Sequence, residues 1–214
     1  MPFYHGTYVS GLKELNPIFK RQNTIKKPVI YFTKNKILSL FYIWNRPYKY
    51  VTFHINNDGI VEYLEEFPNQ LYEFYHGITG CIYECDEDSN IIYESHIKGV
   101  YISSVPVKVR EVININNTYE EILKEEELGN IIIKRYNTLT VDEEEKIRKD
   151  RVRAIHMQGL LNPKDKQDGY TENMATFMKE KFPKEWEIAL NNTEEEIKEM
   201  INQWRISVGL QPLK

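Results

Sequence analysis

The sequence is poor in cysteine and has no long apolar run. Only two of its 214 residues are cysteines, Cys81 and Cys85, and both fall in one predicted strand. Four residues of strand separate two Cα atoms by about 13 Å, whereas a disulfide needs less than about 7 Å. We therefore expect reduced thiols in a cytoplasmic protein. No stretch approaches the ~20 apolar residues that cross a bilayer, and no apolar segment follows Met1, so neither a membrane span nor a signal peptide is expected.

Basic residues are not concentrated as they are in most nucleic-acid-binding proteins. The formal net charge is -4, and the nearest approach to a basic stripe is Lys20, Arg21, Lys26 and Lys27. We interpret these residues as a solvated loop and do not expect nucleic acid as a partner. No metal is expected either, because the cysteines lack a second ligand pair and His76 is the only imidazole near them.

Aromatic and charged residues, in contrast, are plentiful. Hydrophobic residues make up 41% of the chain and charged residues 28%, with 15 Tyr, 9 Phe and 3 Trp. Such values are typical of a folded soluble chain rather than of a disordered one. The length fits one domain with an appendage, or two small domains.

Short strand-forming runs and turn residues dominate the first 137 residues. Strands are predicted over residues 2–7, 29–33, 50–55, 60–64, 80–85, 105–115 and 131–133. A short helix that is buried nearly all round is predicted at 37–44, and a hairpin turn at 56–59. Residues 11–28 are predicted to be mostly loop. This mixture indicates an α+β fold rather than regular βαβ alternation.

The remainder of the chain is predicted to be helical. Three threonine–glutamate pairs have the spacing of a helix-capping box: Thr118 with Glu121, Thr140 with Glu143, and Thr193 with Glu196. One helix face carries a stripe that indicates packing: Ile197, Met200, Ile201 and Trp204. We therefore expect a core over 1–137 and a helical C-terminal extension over 138–214.

Two short segments carry residue types suited to a planar, polar ligand. Tyr4-His5-Gly6-Thr7 ends a predicted strand with an imidazole beside a glycine, whose missing Cβ lets a ligand approach the backbone. Tyr31-Phe32-Thr33, on a second strand, offers an aromatic ring for stacking and a hydroxyl. Each segment taken alone is also explained as an ordinary strand or turn.

Four segments, in order along the chain, resemble the ADP-ribosyltransferase superfamily, and most closely its small rifampin ADP-ribosyltransferases from bacteria. They are His5-Gly6-Thr7, Tyr31-Phe32-Thr33 with the apolar helix after it, Gly80-Cys81-Ile82-Tyr83, and Ser104-Val105-Pro106-Val107-Lys108-Val109. The third is similar to that family's Gly-Arg-Ile-Tyr/Phe strand and the fourth to its Ser/Thr-Arg-Glu-Pro strand. The resemblance implies a split β-sheet core that binds NAD as a co-substrate.

The resemblance also implies roles for individual residues. His5 would bond a ribose hydroxyl of NAD, the Gly6 backbone would hold the nicotinamide carboxamide, and Thr7 would support the turn. Tyr31 would stack on the nicotinamide ring, and Thr33 belongs to the same cofactor-binding strand. Together with one acid, His5 and Tyr31 would form the catalytic set.

The position of that acid is open. The family's acid follows the third segment, and ungapped counting places it at Glu94. A single gap would move it to Glu84, Asp86 or Asp88. It would bond the 2′-hydroxyl of the nicotinamide ribose and stabilise positive charge as nicotinamide leaves. Residues 45–79, expected as a hairpin and an acidic helix, are an insert relative to the family and would change the acceptor pocket.

Three functions are compatible with these motifs. The first is NAD-dependent mono-ADP-ribosyl transfer, with release of nicotinamide, to an unknown small-molecule or protein acceptor. The second is a binding module that keeps the fold without the reaction and recognises NAD, ADP-ribose or a protein. The third, transfer of an RNA 2′-phosphate to NAD, would need a basic RNA pocket, which the scattered cations at 20–27 do not supply.

Overall fold

The computed structural model describes residues 1–18, 27–86, 92–95, 99–163 and 169–213. They form helices and several small β-sheets, which confirms the predicted α+β class. The chain divides into two compact units. Unit 1 consists of Met1–Arg46 and Val51–Asn137, and unit 2 of Pro47–Tyr50 and Thr138–Lys214.

Unit 1 contains the β-strands. They are β1 (Phe3–Thr7), β2 (Glu14–Leu15), β3 (Ile30–Phe32), β4 (Phe53–Ile55), β5 (Val61–Leu64), β6 (Gly80–Cys85), β7 (Tyr93–Glu94), β8 (Tyr101–Ser103), β9 (Val107–Lys108), β10 (Glu111–Ile115) and β11 (Ile131–Lys134). Its helices are α1 (Lys36–Leu40), α2 (Gln70–Tyr75) and α3 (Thr118–Glu127). A 3₁₀ turn at Tyr136–Thr138 follows the last strand.

Antiparallel pairing builds most of the sheets. Strands β1, β6 and β10 form one sheet in the order β1-β6-β10, and β3, β8 and β7 form a second in the order β3-β8-β7. Strands β2 and β9 pair with each other. The sheet β11-β5-β4 differs, because β11 and β5 run parallel.

The first two sheets touch at one backbone bridge between β1 and the end of β3. The Tyr4 N–H donates to the Thr33 carbonyl at 2.8 Å, and the Thr33 N–H donates back to the Tyr4 carbonyl at 3.0 Å. This bridge is isolated rather than part of a longer ladder. The strands that carry the first two sequence motifs are therefore neighbours, joined at a single residue pair.

One hydrophobic cluster fills the space beside these strands. Every second residue of a strand points to the same face, and the clustered residues obey that rule along β1, β3 and β6. The buried members are Phe3, Leu15, Ile30, Phe32, Cys81, Tyr83, Cys85, Ile92 and Val107. Burial alternates along β3, whereas β6 is buried on both faces from Cys81 to Cys85, so the sequence period shows which face joins this cluster but not which residues are buried.

The structure corrects two predicted segments. Residues 11–28, predicted mostly as loop, include β2, whose Leu15 is buried, and a bridge between Ile18 and Val29. The single strand predicted over 105–115 is two strands, β9 and β10, which pair with β2 and β6 respectively. At Arg110, between them, the backbone N–H donates to the Glu84 carbonyl at 2.8 Å, so the chain passes from one sheet to another.

Helix α1 is shorter than the helix predicted at 37–44, but its surroundings are as expected. Its Asn35 cap accepts from the Leu38 N–H at 2.9 Å, and the helix ends at Leu40. Leu38 and Leu40, followed by Phe41 and Ile43 after the helix, are all buried. The predicted burial is therefore confirmed although the helix itself is one turn long.

The segment 45–79 contains the predicted hairpin and is part of a sheet. Asn56 Oδ1 accepts from the N–H groups of Asp58 and Ile60, and Gly59 has φ +82°, so the turn at 56–59 is confirmed. Helix α2 carries a single acid rather than the several expected. The acid Glu65 precedes it, is buried, and accepts from the Leu71 N–H at 3.0 Å.

Two of the three predicted capping boxes are confirmed in unit 2. Its helices are α4 (Val141–Met157), α5 (Gly169–Lys181), α6 (Pro183–Asn191) and α7 (Glu194–Ser207). Thr140 with Glu143 caps α4, and Thr193 with Glu196 caps α7, each pair with both reciprocal bonds. The backbone bond at Thr193 lowers the pKa of Glu196, as expected for a carboxylate that accepts from a helix N-terminus.

The third box, Thr118 with Glu121, is wrong. Helix α3 begins at Thr118, its cap is Asn117, and no side-chain capping bond forms. The Thr118 hydroxyl instead donates to the Ile78 carbonyl at 2.9 Å. The Thr118 hydroxyl therefore bonds a carbonyl that is distant in sequence instead of capping the helix, as the local spacing had predicted.

Aromatic stacking explains why Pro47–Tyr50 belongs to unit 2. The Tyr48 ring stacks on Phe177 with centroids 4.7 Å apart, and Tyr50 contacts Phe177 at 4.9 Å and Phe182 at 6.0 Å. Helix α4 packs on α6 and α7, and the four residues of the α7 stripe are half-buried. Among the described helices, none combines the length and apolar character needed to cross a membrane.

Gly6 is required by the packing of α1 on β1. A Cβ added at Gly6 would overlap with the carbonyl oxygen of Ser39, which is backbone and cannot move aside like a flexible side chain. The same spot is within 3.4 Å of Tyr42 Cβ. The glycine of the first motif therefore has a folding role.

Substitution Gly6→Ala should lower the free energy of unfolding by about 1–3 kcal/mol, the usual cost of overpacking a close contact. The matched control is Gly169→Ala, where the nearest atom to the new Cβ is Asn173 Nδ2 at 4.0 Å. Urea unfolding of both variants measures the difference. Equal stability of the two variants would contradict the packing role of Gly6.

The two cysteines are free thiols in β6, both buried, so the prediction that they do not form a disulfide is confirmed. Burial, with the nearby Asp86 carboxylate, raises the pKa of the Cys85 thiol to about 12. Since the thiolate is the reactive form, we expect no labelling by a thiol reagent at pH 8 in the native protein and two labels in guanidinium. Rapid native labelling of Cys85 would contradict this.

Candidate functional site

The candidate site lies where β1 and β3 separate. Just beyond the Tyr4–Thr33 bridge, His5 Nδ1 lies 2.8 Å from the Tyr31 carbonyl oxygen. The imidazole of the first motif thus bonds the backbone of the second. Both side chains are half-buried.

This bond determines the hydrogen position on the His5 ring. A carbonyl oxygen only accepts, so Nδ1 must carry the proton in this bond. In the neutral ring Nε2 is then the acceptor, and it suits a hydroxyl donor such as a sugar. The backbone of β3 therefore sets both the orientation and the tautomer of the imidazole.

Strand register assigns the neighbouring side chains to two faces. Tyr101 of β8 is opposite Phe32 on one side and Glu94 on the other, and paired residues share a face. The His5 ring contacts the Phe32 ring, with centroids 6.1 Å apart. His5 and Glu94 thus lie on one face of the joined strands, with two aromatic rings between them.

The Tyr31 ring lies on the opposite face. It packs with Val29 and Ile102, a cluster separate from the one that contains Phe32. The structure brings His5 next to the Tyr31 carbonyl but not next to the Tyr31 ring. The half-buried aromatic ring on the His5 face is that of Tyr101.

The two threonines of the motifs make local backbone contacts. Thr7 Oγ1 accepts from the Val9 N–H at 3.2 Å, consistent with support of the turn. Thr33 is buried, and its Oγ1 accepts from the Asn35 N–H at 3.0 Å, directly before α1. Both residues shape the chain that leaves a motif strand.

Glu94 lies on the short outer strand β7. It is exposed, and its Oε1 accepts from the Gly99 N–H at 2.8 Å. Three strand spacings, about 14 Å of backbone, separate β7 from β1. Glu94 therefore bonds the Gly99 backbone and lies at a distance from His5.

Two of the rival acids, Glu84 and Asp86, contact Arg110. The buried Glu84 carboxylate contacts the Arg110 guanidinium, which also donates to Asp86 Oδ1 at 2.9 Å. Asp88 lies outside the described residues. Sequence reasoning missed Arg110, although its signal was present in the alternation of Lys108 and Arg110 with valines within the strand predicted over 105–115.

Lys34 is a second residue that sequence reasoning missed. Its Nζ lies 5.0 Å from the centroid of the Phe3 ring and 5.1 Å from that of Tyr101. Its position directly after Thr33 was the available signal, because alternation places it on the Phe32 face. A cation therefore accompanies His5 on this face.

Two further observations bear on the identity of this site: the arrangement of metal-ligating residues and the comparison with known proteins. In the described parts of the chain, no group of three or more His, Cys, Asp or Glu is arranged to hold a metal ion. Comparison with protein-family models, curated proteins and solved structures finds no match.

Substitution Arg110→Ala should lower the free energy of unfolding by about 1–3 kcal/mol, because the buried Glu84 carboxylate would lose its charged partner. Chemical denaturation measures the change, with the exposed neighbour Lys108→Ala as the matched control. Adding Glu84→Gln to Arg110→Ala should recover part of the loss. An Arg110→Ala variant as stable as the control would refute the structural role of this ion pair.

Proposed function

We propose that the protein is an NAD-dependent mono-ADP-ribosyltransferase that releases nicotinamide and modifies an acceptor of unknown identity. The observation that carries the proposal is the bond between His5 and the Tyr31 carbonyl. It joins the first two motifs where two sheets separate and presents an oriented imidazole. The third motif strand, β6, is the other neighbour of β1, so three of the four motif segments are contiguous.

The proposed chemistry suits these residues. The bond between the nicotinamide nitrogen and ribose C1′ breaks, and its electron pair leaves with neutral nicotinamide. An acceptor nucleophile then bonds C1′ and loses its proton. Positive charge develops on the ribose, so the protein must supply geometry and a fixed carboxylate. His5 Nε2 would accept from a ribose hydroxyl, and the Gly6 backbone would meet the carboxamide.

Two aromatic rings are candidates for stacking on nicotinamide. The resemblance assigns this role to Tyr31, whose ring packs near Ile102. Tyr101 lies on the face that His5 occupies. Calorimetric titration of Tyr31→Ala and Tyr101→Ala with NAD distinguishes the two, because only loss of the stacking ring should weaken binding by about tenfold or more.

A binding module without the reaction is the second candidate function. The position of Glu94 favours it, because this carboxylate is exposed, bonds the Gly99 N–H, and lies three strands from His5. Such a module would recognise NAD, ADP-ribose or a protein partner. NAD binding without nicotinamide release would support this function over the enzyme.

We expect Glu94→Gln to lower the rate of nicotinamide release about 100-fold or more, since the amide removes the charge that stabilises the transition state. His5→Ala should weaken NAD binding about tenfold through loss of one hydrogen bond. Release is followed by chromatography of nicotinamide and binding by calorimetry. The control is Glu111→Gln, an exposed acid on β10.

The outcomes separate the hypotheses. Wild-type release by Glu94→Gln, with loss in Glu84→Gln or Asp86→Asn, would move the acid to that residue. Unchanged melting temperatures are required for each comparison, because Glu84 is buried against Arg110. Absence of any NAD binding by the wild-type protein would overturn the proposed function.

A further inference from the structure

Three aromatic side chains form a cluster on the surface of unit 1, at the end of α2 and the start of α3. Tyr72 and His76 stack, with ring centroids 4.3 Å apart and ring planes 24° apart. Tyr119 packs edge to face against both, with centroids 5.3 Å from Tyr72 and 6.0 Å from His76. Tyr72 is 50% exposed, and His76 is exposed as well. We call these three residues the aromatic cluster.

Backbone hydrogen bonds hold together the two segments that carry the aromatic cluster. The Gly77 N–H donates to Asn117 Oδ1 at 3.1 Å. The Ile78 carbonyl accepts from the N–H of Thr118 at 2.8 Å and from its hydroxyl at 2.9 Å. The ring positions are therefore set without a ligand, and a partner that contacts them loses little conformational entropy. Tyrosines in such exposed, ordered positions are enriched among the residues that dominate binding.

The charge beside the aromatic cluster is negative. Helix α3, which contains Tyr119, has five glutamates and a single lysine, Lys124. Lys124 Nζ lies 3.4 Å from Glu121 Oε1, so its charge is already matched by that acid. Three of the glutamates, at 125–127, occupy the last helical turn, where a negative charge opposes the helix dipole and lowers helix stability. The acidity of α3 thus attracts cations without helping the helix to form.

Two acids of α3 are exposed and lie on one side of the helix. Glu120 and Glu127 are both exposed, and their separation of seven residues is close to two full turns, about 10 Å along the axis. About three residues of an extended peptide cover the same length. Glu125 and Glu126, in contrast, accept from Asn130 at 2.7 Å and from Arg135 at 2.6 Å.

We propose that the aromatic cluster, with Glu120 and Glu127, binds an arginine-rich segment of a partner protein. A guanidinium group stacks on aromatic rings and also donates two parallel hydrogen bonds to a carboxylate. Rings and carboxylates on one surface therefore match arginine better than they match an ammonium group. This inference does not rest on the proposed function, because α2 and α3 carry none of the residues that we assign to NAD.

The test measures binding of two fluorescein-labelled peptides, hexaarginine and hexalysine, by fluorescence anisotropy at low ionic strength. The peptides have the same charge and differ in the cationic group. The wild-type protein should bind hexaarginine at least about threefold more tightly than hexalysine, because only guanidinium combines stacking with paired hydrogen bonds. Tyr72→Leu should weaken hexaarginine binding about fivefold, the effect of losing one cation–π contact, and should change hexalysine binding less.

Matched variants separate this surface from the negative charge of the whole chain. Glu120→Gln should weaken the binding of hexaarginine about two- to fivefold, as expected for one exposed ion pair. Glu14→Gln removes an exposed acid on β2, and Tyr93→Leu removes an exposed ring on β7. Both should bind hexaarginine as wild type does. Melting temperatures check that all variants are folded.

Three results would overturn the proposal. If the wild-type protein binds hexaarginine and hexalysine equally and Tyr72→Leu changes neither, the peptides respond to net charge alone. If Glu14→Gln weakens hexaarginine binding as much as Glu120→Gln does, the peptide does not bind at α3. If the wild-type protein binds neither peptide, the surface does not recognise arginine, and the proposed NAD-dependent function is unaffected.

Discussion

The single bridge between Tyr4 and Thr33 is the constraint on which the candidate site depends. Two reciprocal backbone bonds hold β1 to the end of β3 at that pair. One residue further, the His5 side chain bonds the Tyr31 carbonyl. The orientation of the imidazole is therefore tied to the separation of two sheets. A longer ladder would bring backbone amides to that carbonyl and remove the role of the side chain.

The motif residues combine folding and candidate binding roles. Gly6 lacks a Cβ where the Ser39 carbonyl of α1 approaches β1. Thr33 orients the chain that enters α1 through its bond to the Asn35 N–H. A glycine and a threonine at these positions are thus explained by packing and by a local hydrogen bond.

Sequence reasoning was least accurate for the charged residues of the site and for the face of the sheet on which each side chain lies. The Tyr4–Thr33 bridge places β1 beside the end of the strand that carries Tyr31. The face on which each side chain lies depends on pairing between strands that are far apart in sequence. Ungapped counting therefore could not show that Glu94 is two strands beyond β3 or that Arg110 holds Glu84 and Asp86.

Local contacts were enough to determine the α+β class, the turn at 56–59 and the capping boxes at Thr140 and Thr193, because these depend on residues a few positions apart. Tertiary structure alone decided that Thr118 donates to the Ile78 carbonyl, that β5 pairs with β11, and that the His5 ring contacts the Phe32 ring. In each of these cases the partner is distant in sequence, and spacing along the chain carries no information about it. The candidate site therefore depends on contacts between residues that are distant in sequence.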